Sequence, residues 1–177
     1  DYFNNHNNIE YIWDGENKGL AIRLNQACKK AIAEGYSFLL TMDQDSSFPE
    51  NSLEQYYSNI THFQNKETVA TYGLEYESKA LKGCKSDYTE EEHLITSASI
   101  LNLNLYSVIG GFDENLFIDG VDIDYCYNAL TKGYKNIKFG KIYFNHTLGE
   151  PSRVSTIYTL HLFKKNRTIH STIRIYY

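Results

Sequence analysis

Apolar and polar positions along this chain follow two periods, and the changes of period mark out its elements. Between Asn17 and Gly35, residues Leu20, Leu24, Ala27, Cys28, Ala31 and Ile32 recur at three- and four-residue spacing, with Arg23, Gln26, Lys29, Lys30 and Glu34 between them. That spacing predicts an amphipathic helix, entered through an Asn17 cap and closed by Gly35. Before it, Ile9, Tyr11 and Trp13 fall on one face of a short strand. After it, Phe38-Leu39-Leu40 is apolar without alternation, the pattern of a strand covered on both faces. A helix over 49–63 and a strand over 68–74 follow, and then 75–92 dissolves into charge, Gly and Lys, the mark of a long functional or mobile loop.

The later half resumes the alternation. It predicts a strand over 93–101 and a short helix over 102–109 closed by Gly110-Gly111. A loop over 112–119 leads to a helix over 121–132 that packs through Val121, Tyr125, Ala129 and Leu130 and stops at Gly133. A strand over 137–144 completes the core, and past Gly149 the chain turns basic. Strand and helix in this order predict an α/β fold, a mostly parallel, doubly wound sheet flanked by helices, in a single domain over 1–177.

Composition narrows the classes. With 177 residues, 42% hydrophobic and 15% aromatic, the chain has enough apolar material for one folded core. A net charge of −5 offers no electrostatic attraction to nucleic acid. The 16 tyrosines suit carbohydrate surfaces but suit half-buried strands better. Cys28, Cys84 and Cys126 lack metal-ligand spacing and read as small buried thiols, not as a disulfide framework. No stretch has the length and apolarity of a membrane span and no signal peptide opens the chain, so the expected compartment is the cytoplasm. Sequons at Asn59, Asn145 and Asn166 are what an Asn-rich chain produces by chance.

The chemistry begins where the apolar strand ends, at Asp43-Gln44-Asp45. Ligands of open α/β sheets gather at the carboxyl ends of strands, and two carboxylates one residue apart reach one hard cation that completes its shell with phosphate oxygens. Strand ends are often polar without a ligand, and haloacid-dehalogenase-like phosphatases use the same triplet. Their pattern, however, continues into Gly-Thr near the start of the fold, whereas Ser46-Ser47 follows here after a strand and a helix. A second acidic group, Asp119, Asp122 and Asp124, surrounds the start of the 121–132 helix, where the helix dipole alone accounts for at least one of them. Asp122 and Asp124 are two apart and cannot face the same way.

Taken together, Asn17-Lys18-Gly19-Leu20-Ala21 with Asn25, Asp43-Gln44-Asp45-Ser46, Gly110-Gly111-Phe112-Asp113-Glu114 and Asp122-Ile123-Asp124 resemble the family 2 glycosyltransferases of GT-A fold. The Asp-Gln-Asp-Ser form and the ending His170-Ser171-Thr172-Ile173-Arg174-Ile175-Tyr176-Tyr177 look most like the rhamnosyltransferase-like branch. The resemblance implies an inverting transfer of a sugar from a nucleotide-diphosphate sugar to a saccharide or lipid-linked acceptor. It implies Mg²⁺ or Mn²⁺ on Asp43 and Asp45, with His146, ahead of Gly149, as a further metal ligand. Donor contacts are implied for Asn17, Asn25, Asp43 and Arg174. Asp122 is implied as the general base, although Val121 stands where the family has a preceding acid, which keeps Asp119 and Asp124 as alternates.

The family's first strand and its C-terminal extension have no counterpart here, so the sequence is expected to be an N-terminally incomplete catalytic domain whose isolated activity is in doubt. Peripheral association with the inner face of a membrane would come through regions outside it. Two other classes stay open on the residues alone: the dehalogenase-like phosphatase, and a non-catalytic fragment that binds nucleotide or carbohydrate.

Overall fold

The computed structural model describes residues 12, 15–76 and 86–146. In chain order these form α1 (Leu20–Ala33), β1 (Phe38–Thr41), β2 (Ser46–Ser47), α2 (Ser52–Thr61), β3 (Val69–Tyr76), β4 (Tyr88–Glu90), β5 (Ser99–Asn102), α3 (Leu103–Ile109), α4 (Val121–Thr131) and β6 (Lys135–His146). Apart from Ile12, the strand expected over 9–13 lies outside the described residues, as does the basic segment with Arg174.

The six strands pair in the order β1-β5-β3-β6-β2, with β4 also on β6. Helices flank this sheet, as the alternation predicts, but the expectation of mostly parallel strands is corrected. Among the described residues β3 and β6 run parallel, while the β1–β5, β3–β5, β4–β6 and β2–β6 pairs are antiparallel. Strand direction depends on how the chain enters each strand, and the pattern of apolar positions does not record it. The expected strand over 93–101 shrinks to Ser99–Asn102, and the long loop after Glu75 contains β4.

The sheet separates two cores. On one face α1, α3 and α4 bury Leu24, Cys28, Ile109, Phe112, Val121 and Tyr125 over Ala70 and Leu101. On the other, α2 buries Tyr56 and Ile60 over Val69, Tyr72, Ile100 and Phe139. The short β1 serves both: Leu39 packs against the first core and Phe38 and Leu40 against the second. This is why its apolar run does not alternate, although all four of its residues are only half-buried.

One glycine lets the chain close on itself. Gly19, at φ 82°, precedes α1, and an added Cβ there would lie 2.5 Å from the Phe117 carbonyl oxygen, which accepts the Leu20 N–H at 2.6 Å. Asn17 was expected to cap α1; Gly19 holds the cap position, and Asn17 Oδ1 instead accepts the Gly19 N–H at 3.2 Å. Cys28 and Cys126 are the buried thiols expected, with burial pushing them up to about 12 and about 11. Cys84 lies outside the described residues.

Candidate functional site

The parallel pairing of β3 and β6 breaks between Leu74 and Glu75, where the partner jumps from Phe139 to Tyr143. Such an irregularity bends a strand. Beyond it, the last residues of β6 leave the middle of the sheet and pair with β2, Ser46 opposite His146 and Ser47 opposite Asn145. The turn from β1 to β2 carries Asp43 and Asp45, tied by the Ser46 N–H to the Asp43 carbonyl at 3.1 Å. Residues a hundred positions apart thus meet at the carboxyl end of β1.

There Asp43, Asp45 and His146 each offer a ligand atom, and these atoms all lie within 4.8 Å of one another. His146 Nδ1 is 3.3 Å from Asp45 Oδ1 and 2.6 Å from Ser46 Oγ, and Ser46 Oγ is in turn 2.6 Å from Ser97 Oγ. Ser97 also accepts the Asp43 N–H at 3.1 Å. Thr41 secures the same turn from below, its hydroxyl donating to the carbonyls of Thr96 at 2.5 Å and Ser99 at 3.1 Å. The His146 side chain is 12% exposed and that of Asp45 43%, so the imidazole is held by protein while the carboxylate faces out. Neither acid points into the hydrophobic interior.

Partial burial raises the pKa of the Asp43 carboxyl; His146 opposes the rise, and the charges of Asp45 and Asp122 add to it. A cation held between Asp43 and Asp45 would relieve the repulsion between their carboxylates. The two carboxylate oxygens suit Mn²⁺ or Mg²⁺, and the imidazole nitrogen beside them favours Mn²⁺.

Asp122 stands in the first turn of α4, and its negative charge is the smallest of the influences that act on the Asp43 carboxyl. Its Oδ1 accepts the Ile123 N–H at 2.9 Å. Asp124 faces elsewhere: its Oδ2 accepts from Asn128 Nδ2 at 2.9 Å, and it lines a cavity of about 490 Å³ with Gly110–Asn115. Asp119 is exposed in the loop before α4 and joins neither group. Asn17 is exposed ahead of α1.

Asn25, for which a donor contact is expected, is held within the protein. It is 5% exposed and its amide is saturated within the protein. Nδ2 donates to the Phe112 carbonyl at 2.9 Å and to Glu114 Oε1 at 2.8 Å, while Oδ1 accepts from Tyr106 Oη at 2.7 Å and the Phe112 N–H at 2.9 Å. Its amide clamps the turn at Phe112 and Glu114 to α1. Ser97 is the residue the sequence did not flag, since nothing near it in the chain signals a partner 51 positions away.

With the geometry in view, the class follows from comparison. The profile of Glycosyl transferase family 2 matches residues 1–109, more than half of the chain, and the chain belongs to that family. This sets aside the phosphatase reading of the acidic triplet. Among individual proteins it is similar to the dTDP-rhamnosyl transferase RfbF of Shigella flexneri, 24% identical over 189 residues, a match that covers 96% of this chain and 60% of that protein's length. In fold it matches a mannosyltransferase of Pyrobaculum calidifontis solved with GDP-Man and Mn²⁺, with a TM-score of 0.59 at 15% identity over 80% of this chain and 40% of that one. It also matches GalNAc-T7 solved with UDP, GalNAc and Mn²⁺, with a TM-score of 0.58 at 10% identity over 75% of this chain and 31% of that one. Among the described residues no helix is long and apolar enough to cross a membrane.

Proposed function

We propose that this chain carries the catalytic core of an inverting glycosyltransferase that moves a sugar, rhamnose by preference, from a nucleotide-diphosphate donor to a saccharide or lipid-linked saccharide hydroxyl. The observation that carries the reading is the meeting of Asp43, Asp45 and His146 within 4.8 Å. The rhamnose donor is supported by the likeness to a dTDP-rhamnosyl transferase, and a metal-dependent donor site by the Mn²⁺ bound in both structural relatives.

Asp43, Asp45 and His146 would hold the divalent ion. When bound, that ion supplies Lewis-acid neutralisation of the charge gathering on the departing nucleoside diphosphate. The protein's own residues do the rest. Ser46 and Ser97 hold the imidazole and the Asp43 backbone in register. The Asp122 carboxylate takes the proton from the acceptor hydroxyl as its oxygen attacks the anomeric carbon, a step typically worth ~10²–10⁴-fold. One displacement leaves the anomeric configuration inverted. Asp119 and Asp124 are the alternates for this base; Asp124 is engaged by Asn128, and Asp119 is exposed in the loop before α4.

The test is a panel of nucleotide sugars, dTDP-rhamnose first, assayed with the full-length protein with Mn²⁺ or Mg²⁺ and with EDTA. Asp45→Ala should abolish metal-dependent turnover. Asp122→Asn should cut kcat by ~10²-fold or more while sparing donor affinity. Full activity in EDTA would refute the metal site, and full activity of the Asp122 variant would refute the base.

A further inference from the structure

A second cavity, of about 830 Å³, lies between the end of α2, the turn after it, β4 and residues 135–141 of β6. Its size is that of a small-molecule site, and none of Asp43, Asp45, Asp122 or His146 lines it. Its base is aromatic. Phe63 meets Tyr72 at 5.8 Å, Phe139 at 6.0 Å and Tyr88 at 4.9 Å between ring centroids, all edge to face. Tyr72 and Phe139 are buried, whereas Tyr88 is 47% exposed. The cluster therefore anchors one ring at the cavity mouth, where it presents apolar area at little entropic cost.

The polar lining determines what class of ligand fits. The charged residues on the cavity are Asp87, Glu90, Lys135 and Lys141, and they pair off as Lys135 with Glu90 and Lys141 with Asp87. Each cation is matched by an anion, so the cavity offers no net positive field to a phosphate, a nucleotide or an anionic lipid. The remaining polar side chains include the exposed amides of Asn59, Gln64 and Asn65, each of which both donates and accepts. An aromatic ring beside uncharged amides matches a ligand with alternating apolar C–H faces and hydroxyls.

We propose that this cavity is a binding site for a neutral oligosaccharide, separate from the acidic cluster. The site does not depend on the transferase reading, because no residue is shared between the two.

Titration of the full-length protein with neutral hexasaccharides built from glucose, mannose and rhamnose, followed by saturation-transfer and ¹⁵N-shift NMR, tests it. At least one should perturb Tyr88 and Gln64. Tyr88→Ala and the surface change Gln64→Ala should each weaken that binding roughly tenfold or more, while Tyr88→Phe retains most of it. Asp45→Ala, which ends metal-dependent turnover, should leave it unchanged. Inorganic pyrophosphate should cause no shift at these residues. The proposal is overturned if no hexasaccharide shifts these signals, if the Tyr88→Ala and Gln64→Ala variants bind as well as the parent, or if pyrophosphate binds there instead.

Discussion

The Ser46 hydroxyl sits 2.6 Å from both Ser97 Oγ and His146 Nδ1, so one small side chain sets the orientation of an imidazole that adjoins two carboxylates. Hydrogen bonds of this kind select the ring tautomer and hold the ring plane, and their loss typically costs ~10–100-fold in metal affinity. Ser46→Ala should accordingly weaken Mn²⁺ binding by about that factor, read by calorimetry or by the Mn²⁺ EPR signal, with the fold unchanged. Equal affinity in the variant would mean that the hydroxyl plays no part in orienting His146. The two acids of α4 illustrate the same scale. Two positions separate Asp122 from Asp124, yet one accepts the Ile123 N–H and the other is bonded to Asn128 beside a cavity.

At the scale of elements, α1 is held to the loop over 112–119 by two contacts that tolerate no substitution by a plain side chain. At Gly19 the left-handed φ of 82° and the 2.5 Å approach of the Phe117 carbonyl both oppose a Cβ. Gly19→Ala should lower stability by ~1–3 kcal/mol, seen as a fall in the urea midpoint. Asn25→Ala would leave the Phe112 N–H and carbonyl and the Tyr106 hydroxyl without their partner, in a position only 5% exposed. A loss of ~2–4 kcal/mol is expected from stranded buried groups. A loss under about half a kilocalorie in either variant would show that α1 and the loop are not coupled as described. The bend of β6 after Phe139 is the corresponding device on the other side of the site, since it brings His146 onto β2.

At the scale of the whole molecule, Lys138 joins the two strands beside β6. Its Nζ lies 3.2 Å from Glu75 Oε2 in β3 and 2.8 Å from Glu91 Oε1 after β4. Burial alone would push the Glu91 carboxyl up, but its hydrogen bonds to Lys138 and Thr89 outweigh that and hold it below the usual glutamate value of 4.5. Burial would likewise push the Lys138 amine down, and its bonds to Glu91 and Glu75 hold it above the usual 10.5. A lowered carboxyl contributes stability above the ordinary glutamate range and loses it as pH falls through the folded-state value. A raised amine contributes below the ordinary lysine range and loses it as pH rises through the folded-state value. Lys138→Met should therefore cost ~1–2 kcal/mol near neutral pH, a figure reduced for the partial exposure of the group. The difference from the parent should shrink below about pH 4 and above about pH 11, measured by denaturant unfolding across pH. A pH-independent difference would assign the loss to packing instead of charge.

The elements themselves were legible in the chain because helix and strand periods are local. The residues of α1, α2, α4 and β6 repeat at spacings that any window of a dozen residues contains, and Asp43-Gln44-Asp45 announces itself at the end of an apolar run. Strand direction, the bulge that bends β6, and the pairing of Ser97 with Ser46 were not legible, since each is decided by segments far apart in the chain. Asn25 shows the difference at one residue: a polar position on an amphipathic helix reads as available, and only tertiary packing reveals its hydrogen bonds to Tyr106 and to the turn at Phe112 and Glu114. The sequence by itself determined which groups the protein owns and the local geometry around each. The tertiary structure decided which of them meet, because proximity across the sheet is set by chain closure and burial, and no local pattern encodes it.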